Sequence, residues 1–239
     1  MAKMTLDELV QQMKAAHGAA LDAVVLYGSA ARHQGAPQGA PQGALDVLVV
    51  VQELADEALR PAGAATRAWL EAGHPAPMTL TMDEWRSSAD IFAIEYADIL
   101  AAHRVLHGTL PVDGIAVARS DLRLQLEREA MGKLLQLRRE MQARYGDAKA
   151  QRALLEAARG GIFALFRATL RLVEGAEVPH DSEAVANAVA RVTGLDAAPF
   201  VALAQHAHGK RKLTEQETPA VLRGCHDGLQ RLAGWIDKS

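Results

Sequence analysis

The sequence predicts an α+β protein: a small mixed sheet with helices over residues 1–113, followed by an all-α helical bundle over 114–239. Short β-branched runs near residues 22–27, 45–51 and 78–81 alternate with helical stretches, which is the pattern of a sheet layered with helices. From Arg119 onward, apolar residues recur at steps of three and four, the spacing of one helix face. The composition agrees, because 49% of the residues are hydrophobic and only 4% aromatic, with alanine and leucine abundant.

The first element is a helix. Thr5 and Glu8 have the spacing of a capping box, and Leu6, Leu9, Val10 and Met13 then share a face up to Gly18. A strand from Asp22 to Tyr27 follows and ends at Gly28-Ser29. Residues 33–44 carry a Gly-Ala-Pro-Gln repeat, whose prolines and glycines predict a flexible surface insert without regular structure. Leu45 to Val51 is almost unbroken in its β-branched character, as in a strand covered on both faces. Glu53 to Gly73 reads as a helix, with Pro61 expected in the first turn of its main part. Met78 to Thr81 is a third short strand. Phe92 to Gly108 suits a helix followed by an extended piece leading out of the domain.

In the second half, Leu122, Leu126, Ala130, Leu134, Leu137, Met141 and Tyr145 predict one apolar stripe on a helix that stops at Gly146. Lys149 to Glu174 predicts a second long helix, with Leu154, Leu155, Phe163, Phe166, Leu170 and Val173 as its core side. Shorter helices are expected at 182–192 and 197–207, and a last long one from Thr218 to Ile236. Together they predict a bundle.

Charge and cysteine content narrow the functional classes. Residues 1–115 hold 7 Lys and Arg against 14 Asp and Glu, whereas the remainder holds 19 against 15, so neither half is basic enough to seek nucleic acid or anionic membrane through its charge. The stripe of stacking aromatics expected of a nucleic-acid binder is also lacking. No apolar stretch is long enough to span a bilayer, and the N-terminus lacks the apolar core of a signal peptide. Cys225 is the lone cysteine, which points to a cytoplasmic protein without an internal disulfide and reads as a small buried apolar residue.

The residues that suggest chemistry lie between Tyr27 and Val51. Gly28 permits close backbone approach to an anion, Ser29 adds a hydroxyl, and a helix starting at Ala30 would turn its N–H groups toward phosphate. Arg32 follows three residues after Ser29, and Asp46 leads the next strand. This run resembles the active-site core of the DNA polymerase β-type nucleotidyltransferase superfamily, with the helical C-terminal half similar in layout to the aminoglycoside nucleotidyltransferases. The resemblance implies that Gly28, Ser29 and Arg32 hold a nucleoside triphosphate and that Asp46 is the catalytic, metal-binding carboxylate. It also implies that a basic residue of the helical half, for which Lys133 is the candidate, assists the phosphates.

The family pattern has two aspartates at alternating positions on this strand, so that both side chains share a face and hold Mg2+ together. Here Asp46 stands alone. In one register it is the second aspartate and Ala44 replaces the first; in the other it is the first and Leu48 replaces the second. The third carboxylate belongs on Met78 to Thr81, which contains no acid. Asp83 and Glu84 lie just beyond that strand, and Glu95 or Asp98 could supply a ligand from further along. A lost ligand costs about 4 kcal/mol or more in transition-state stabilisation.

Two functions follow from the resemblance. The first is a catalytically impaired, nucleotide-binding or scaffold protein that needs no cofactor. The second is an active enzyme that uses Mg2+ and a nucleoside triphosphate to transfer a nucleoside monophosphate to a hydroxyl. A nucleotide and a second copy of the chain are the partners they imply.

Other residues read more simply. His206 and His208 are two apart near a helix end and point apart, whereas His103 and His107 are spaced to share a helix face. Arg128, Arg138, Arg139 and Arg144 alternate with Glu127, Glu129 and Glu140 as a solvated helix face.

Overall fold

The computed structural model describes residues 3–32 and 45–238, so the expected insert at 33–44 lies outside the described residues. The chain divides into two compact units, Met1–Val117 and Ala118–Ser239; the sequence reading set its boundary a few residues earlier.

The first unit begins with helix α1, Leu6–His17. The Thr5 side chain accepts from the Glu8 amide while the Glu8 carboxylate accepts from the Thr5 amide, which satisfies two of the amides that a helix start leaves open. Strand β1 spans Leu21–Tyr27, a single turn α2 spans Ser29–Arg32, and β2 spans Asp46–Val51. Helix α3, Asp56–Glu71, runs through Pro61. Pro61 therefore stands beyond the first turn, deeper than the sequence suggested. β3, Met78–Thr81, leads directly into α4, Met82–Ser87. After α5, Ala93–Ala101, strand β4 spans His103–Gly108.

The sheet order is β3-β2-β1-β4, with β2 parallel to β3 and β1 antiparallel to both β2 and β4. The extended piece after α5 is thus a strand of the sheet, not an exit from the domain. His103 and His107 lie on this strand and not on a helix, which corrects the shared-helix-face expectation.

Both faces of the sheet are covered, which is why β2 reads as an unbroken apolar run. On one face Val24, Leu26, Val47, Val49 and Val51 pack with Leu9 and Met13 of α1 and with Ala65 and Trp69 of α3. On the other, Ala23, Val25, Leu48 and Val50 pack with Leu80, Trp85, Tyr96 and Ile99. Each fully buried valine, leucine, isoleucine or methionine among them contributes about 1.5–3 kcal/mol. The second face is also fastened by polar groups. The Trp85 indole N–H donates to the Pro111 carbonyl at 2.8 Å, and the Tyr96 hydroxyl donates to the Trp85 carbonyl at 2.8 Å. The two rings stack at 4.5 Å, which sets the orientation of α5 against the sheet.

The second unit is helical. Its elements are α6 (Arg119–Ala143), α7 (Ala148–Leu172), α8 (Ser182–Thr193), α9 (Ala198–Ala207) and α10 (Thr218–Ile236). Leu122, Leu126, Ala130, Leu134 and Leu137 are buried along α6 as the spacing predicts. The stripe stops there, because α6 ends at Ala143 and Tyr145 is 86% exposed beyond it. On α7, Phe163 and Phe166 are buried, and Phe166 meets Phe200 of α9 edge-on at 4.7 Å. Cys225 is wholly buried, and burial pushes its thiol far above the ordinary range. Among the described residues, no helix is long and apolar enough to cross a membrane.

Candidate functional site

The end of β1 places Asp46 beside the Gly28 turn. Tyr27 pairs with Asp46 of β2 on one side and with His103 of β4 on the other, and directly opposed residues of antiparallel strands share a face. Alternation from Val25 and Leu48 assigns this row to the face that α4 and α5 cover. Gly28 follows at φ +73°, in the left-handed region that only glycine enters freely. A Cβ built at Gly28 would stand 2.8 Å from Oδ2 of Asp46, so the missing side chain is what lets the carboxylate lie against the turn.

Ser29 and Arg32 lie on α2, which begins one residue before the expected start at Ala30 and is followed by residues outside the description. Lys133 belongs to the helical unit. There its ammonium pairs with Glu129 at 3.4 Å, and its stem lies over Gly161, where an added Cβ would come within 3.0 Å of it.

The carboxylates sort by position. On β2, Leu48 occupies the same-face position two residues after Asp46 and is 0% exposed within the core cluster. Met78 and Leu80 are the apolar residues by which β3 joins that side. Ala44, the other candidate partner position, lies outside the described residues. Beyond β3, Glu84 is engaged in capping α4, where its carboxylate accepts from the Thr81 amide at 2.7 Å, and Asp83 is exposed in the same first turn.

Glu95 and Asp98 behave differently. Burial raises the Tyr27 hydroxyl well above its ordinary range, and the negative charges of Asp46, Glu95 and Asp98 raise it further. Helix α5 therefore brings acid charge to the same side chain that Asp46 faces, and Asp98 is only 8% exposed. The sequence names both acids as candidates but does not join them to Tyr27; the one signal for that is alternation along β1, which sets Tyr27 on the face opposite Leu26. His103 completes the row. Its Nδ1 donates to the Ile99 carbonyl at 2.8 Å, which fastens the start of β4 to α5 and leaves Nε2 as the acceptor of the neutral ring.

This donor set can be tested against a pair of Mg2+ ions. Each requires an oxygen-rich shell, and among the described residues the Gly28 end of the sheet provides the carboxylate of Asp46, with a buried leucine at the alternating position. The residues on the sheet do not fit a two-ion site.

Among the described residues, the group of three metal-type side chains with mutually close ligand atoms is elsewhere: Asp181, Glu183 and His208, within 4.8 Å of one another. Both carboxylates already have partners. Asp181 caps α8 through the Ala184 amide, and Glu183 accepts from Lys210 at 2.7 Å and from Gln205 at 2.9 Å. Burial lowers the basicity of His208, with the nearby Arg159 and Lys210 adding to the effect against Asp181 and Glu183. His206 points away to Glu156 at 2.9 Å, as two-residue spacing on a helix requires.

No protein-family model matches the chain, and no curated protein does. Among solved structures it is similar to a spectinomycin adenyltransferase from Enterococcus faecialis, crystallised with ATP and spectinomycin. The TM-score is 0.58 at 14% sequence identity, and the match covers 95% of this chain and 100% of that one. The likeness establishes a nucleotidyltransferase-like fold for the chain.

Proposed function

We propose that the protein binds a nucleotide at the Gly28 turn and that its incomplete carboxylate set leaves it impaired as a nucleotidyltransferase, so that it acts as a nucleotide-binding or regulatory protein. The observation that carries the reading is the Gly28–Asp46 contact, with buried Leu48 standing where a second same-face carboxylate would be. A left-handed glycine opens backbone to close approach by a phosphate. Beside it, Asp46 can hold one cation or orient a donor, but it cannot surround two cations. The nucleotide-bound adenyltransferase of similar fold supports ATP as the first ligand to try.

A second reading has its own support. The combined effect of Asp46, Glu95 and Asp98 on Tyr27 favours an active enzyme in which an α5 carboxylate joins Asp46 in holding Mg2+. Calorimetry with ATP, with and without Mg2+, separates the two when paired with transfer assays using α-labelled ATP and an aminocyclitol acceptor. Binding without transfer agrees with the first reading. Transfer abolished by Asp46→Asn and by Asp98→Asn or Glu95→Gln establishes the second, and absence of heat at millimolar ATP refutes both.

A further inference from the structure

Asp46 is placed by the backbone just before it. Leu45 is the first described residue after Arg32, its side chain is 5% exposed in the core, and the β1–β2 ladder closes one residue later at Tyr27 and Asp46. The Leu45 amide therefore precedes the ladder, and it donates to Nδ1 of His74 at 3.3 Å.

The imidazole is itself held in place. The His74 backbone N–H donates to the Trp69 carbonyl at 3.3 Å, and its ring lies against the Trp69 indole with centroids 4.0 Å apart and planes tilted by 33°. Trp69 is fully buried, so the C-terminal end of α3 presents an oriented acceptor to the incoming strand.

We propose that His74 is the positioning residue for Asp46: its neutral ring clamps the chain one residue before that carboxylate, and protonation of the ring releases the clamp and weakens the nucleotide site. The inference rests on the nucleotide-binding reading given above for its last step alone. Nδ1 can accept the Leu45 N–H only while it carries a lone pair, which assigns the proton of the neutral ring to Nε2. In the imidazolium both nitrogens are donors, and two N–H groups then face each other.

The surroundings favour the neutral form. Burial lowers the basicity of His74, and the positive charge of Lys3 from the N-terminal segment lowers it further. Trp69 of α3 and Leu45 before β2, the other groups described against the ring, carry no charge.

Asparagine is the conservative replacement, because its Oδ1 stands near the position of Nδ1 and accepts at every pH; leucine removes the acceptor. Losing one net hydrogen bond corresponds to a roughly five- to tenfold effect, so His74→Leu should weaken Mg-ATP binding by about that factor near neutral pH and His74→Asn by less than about threefold. From about pH 7.5 to about pH 5.5, the wild type should lose roughly five- to tenfold more affinity than His74→Asn, a ratio in which the protonation of ATP and of other histidines cancels.

Hydrogen exchange at the Leu45 amide reads the clamp without nucleotide. Exchange corrected for intrinsic rate should accelerate in His74→Leu and in the acidified wild type, but not in His74→Asn. The inference is overturned if the Leu45 amide is equally protected in all three proteins, or if His74→Leu binds Mg-ATP as the wild type does. If the wild type binds no nucleotide at any pH, the pocket reading and the affinity step built on it fall, while Leu45 exchange still decides whether His74 clamps the strand.

Discussion

Replacing Gly28 with alanine tests the geometry at the centre of the site, because it adds a single carbon where the backbone and Asp46 both leave no room. The φ of +73° puts an L-residue in the left-handed region at a cost of about 1–2 kcal/mol. The new Cβ would stand 2.8 Å from Oδ2 of Asp46, so the carboxylate must swing away from the turn. A side-chain rotation relieves that contact at modest cost to stability, but it removes the carboxylate beside the turn from its place. Gly194→Ala at the end of α8 is the matched control, with a left-handed backbone at φ +72° and only ordinary contact, at 3.8 Å, around its added Cβ. Thermal melts should show both variants less stable by about 1–2 kcal/mol, a Tm decrease of several degrees. In calorimetry with Mg-ATP, Gly28→Ala should bind at least about tenfold more weakly, equivalent to about 1.4 kcal/mol, while Gly194→Ala binds as the wild type does. Equal affinities of Gly28→Ala and the wild type would refute the placement of the nucleotide at this turn. Equal losses in the two variants would show that backbone strain, not the Asp46 contact, controls binding.

Three further outcomes follow from the packing and the charges. In Gly228→Ala on α10, the added carbon would meet the Phe200 ring at 2.5 Å, so overpacking of about 1–3 kcal/mol should outweigh the gain of about 1 kcal/mol in helix propensity, and urea denaturation should show a net loss. Cys225 should resist a thiol reagent under native conditions and react once the chain is unfolded, because it is buried and its thiol is held neutral. Burial lowers the basicity of His17, His74 and His208 below the free value of about 6.5, so the unfolded chain binds more protons in mildly acidic solution. Their contribution is complete above that value and is lost as pH falls through it, so denaturation midpoints should decrease from about pH 7.5 to about pH 5.5. An increase would contradict the assignment.

Local pattern determined most of the elements. The capping box at Thr5, the β-branched run after Asp46 and the apolar period of α6 each encode a structure that forms from neighbouring residues, and the packed faces agree with them. The Gly-Ser pair and Asp46 are legible for the same reason, since a glycine at a strand end and a strand-leading acid are short-range features, whereas the left-handed backbone of Gly28 comes from the structure. The path of β4 was not legible, because pairing with β1 joins residues 76 or more positions apart and leaves little trace in the composition of either strand. The surroundings of Asp46 depend in the same way on long-range closure. Packing on Trp85 and Tyr96 brings α5 and its acid charge to Tyr27, while the end of α3 carries His74 to the Leu45 amide. The sequence could state which side chains were available, but a carboxylate's partners, an imidazole's tautomer and a tyrosine's acidity are set by distance in space, and only the folded chain sets those distances.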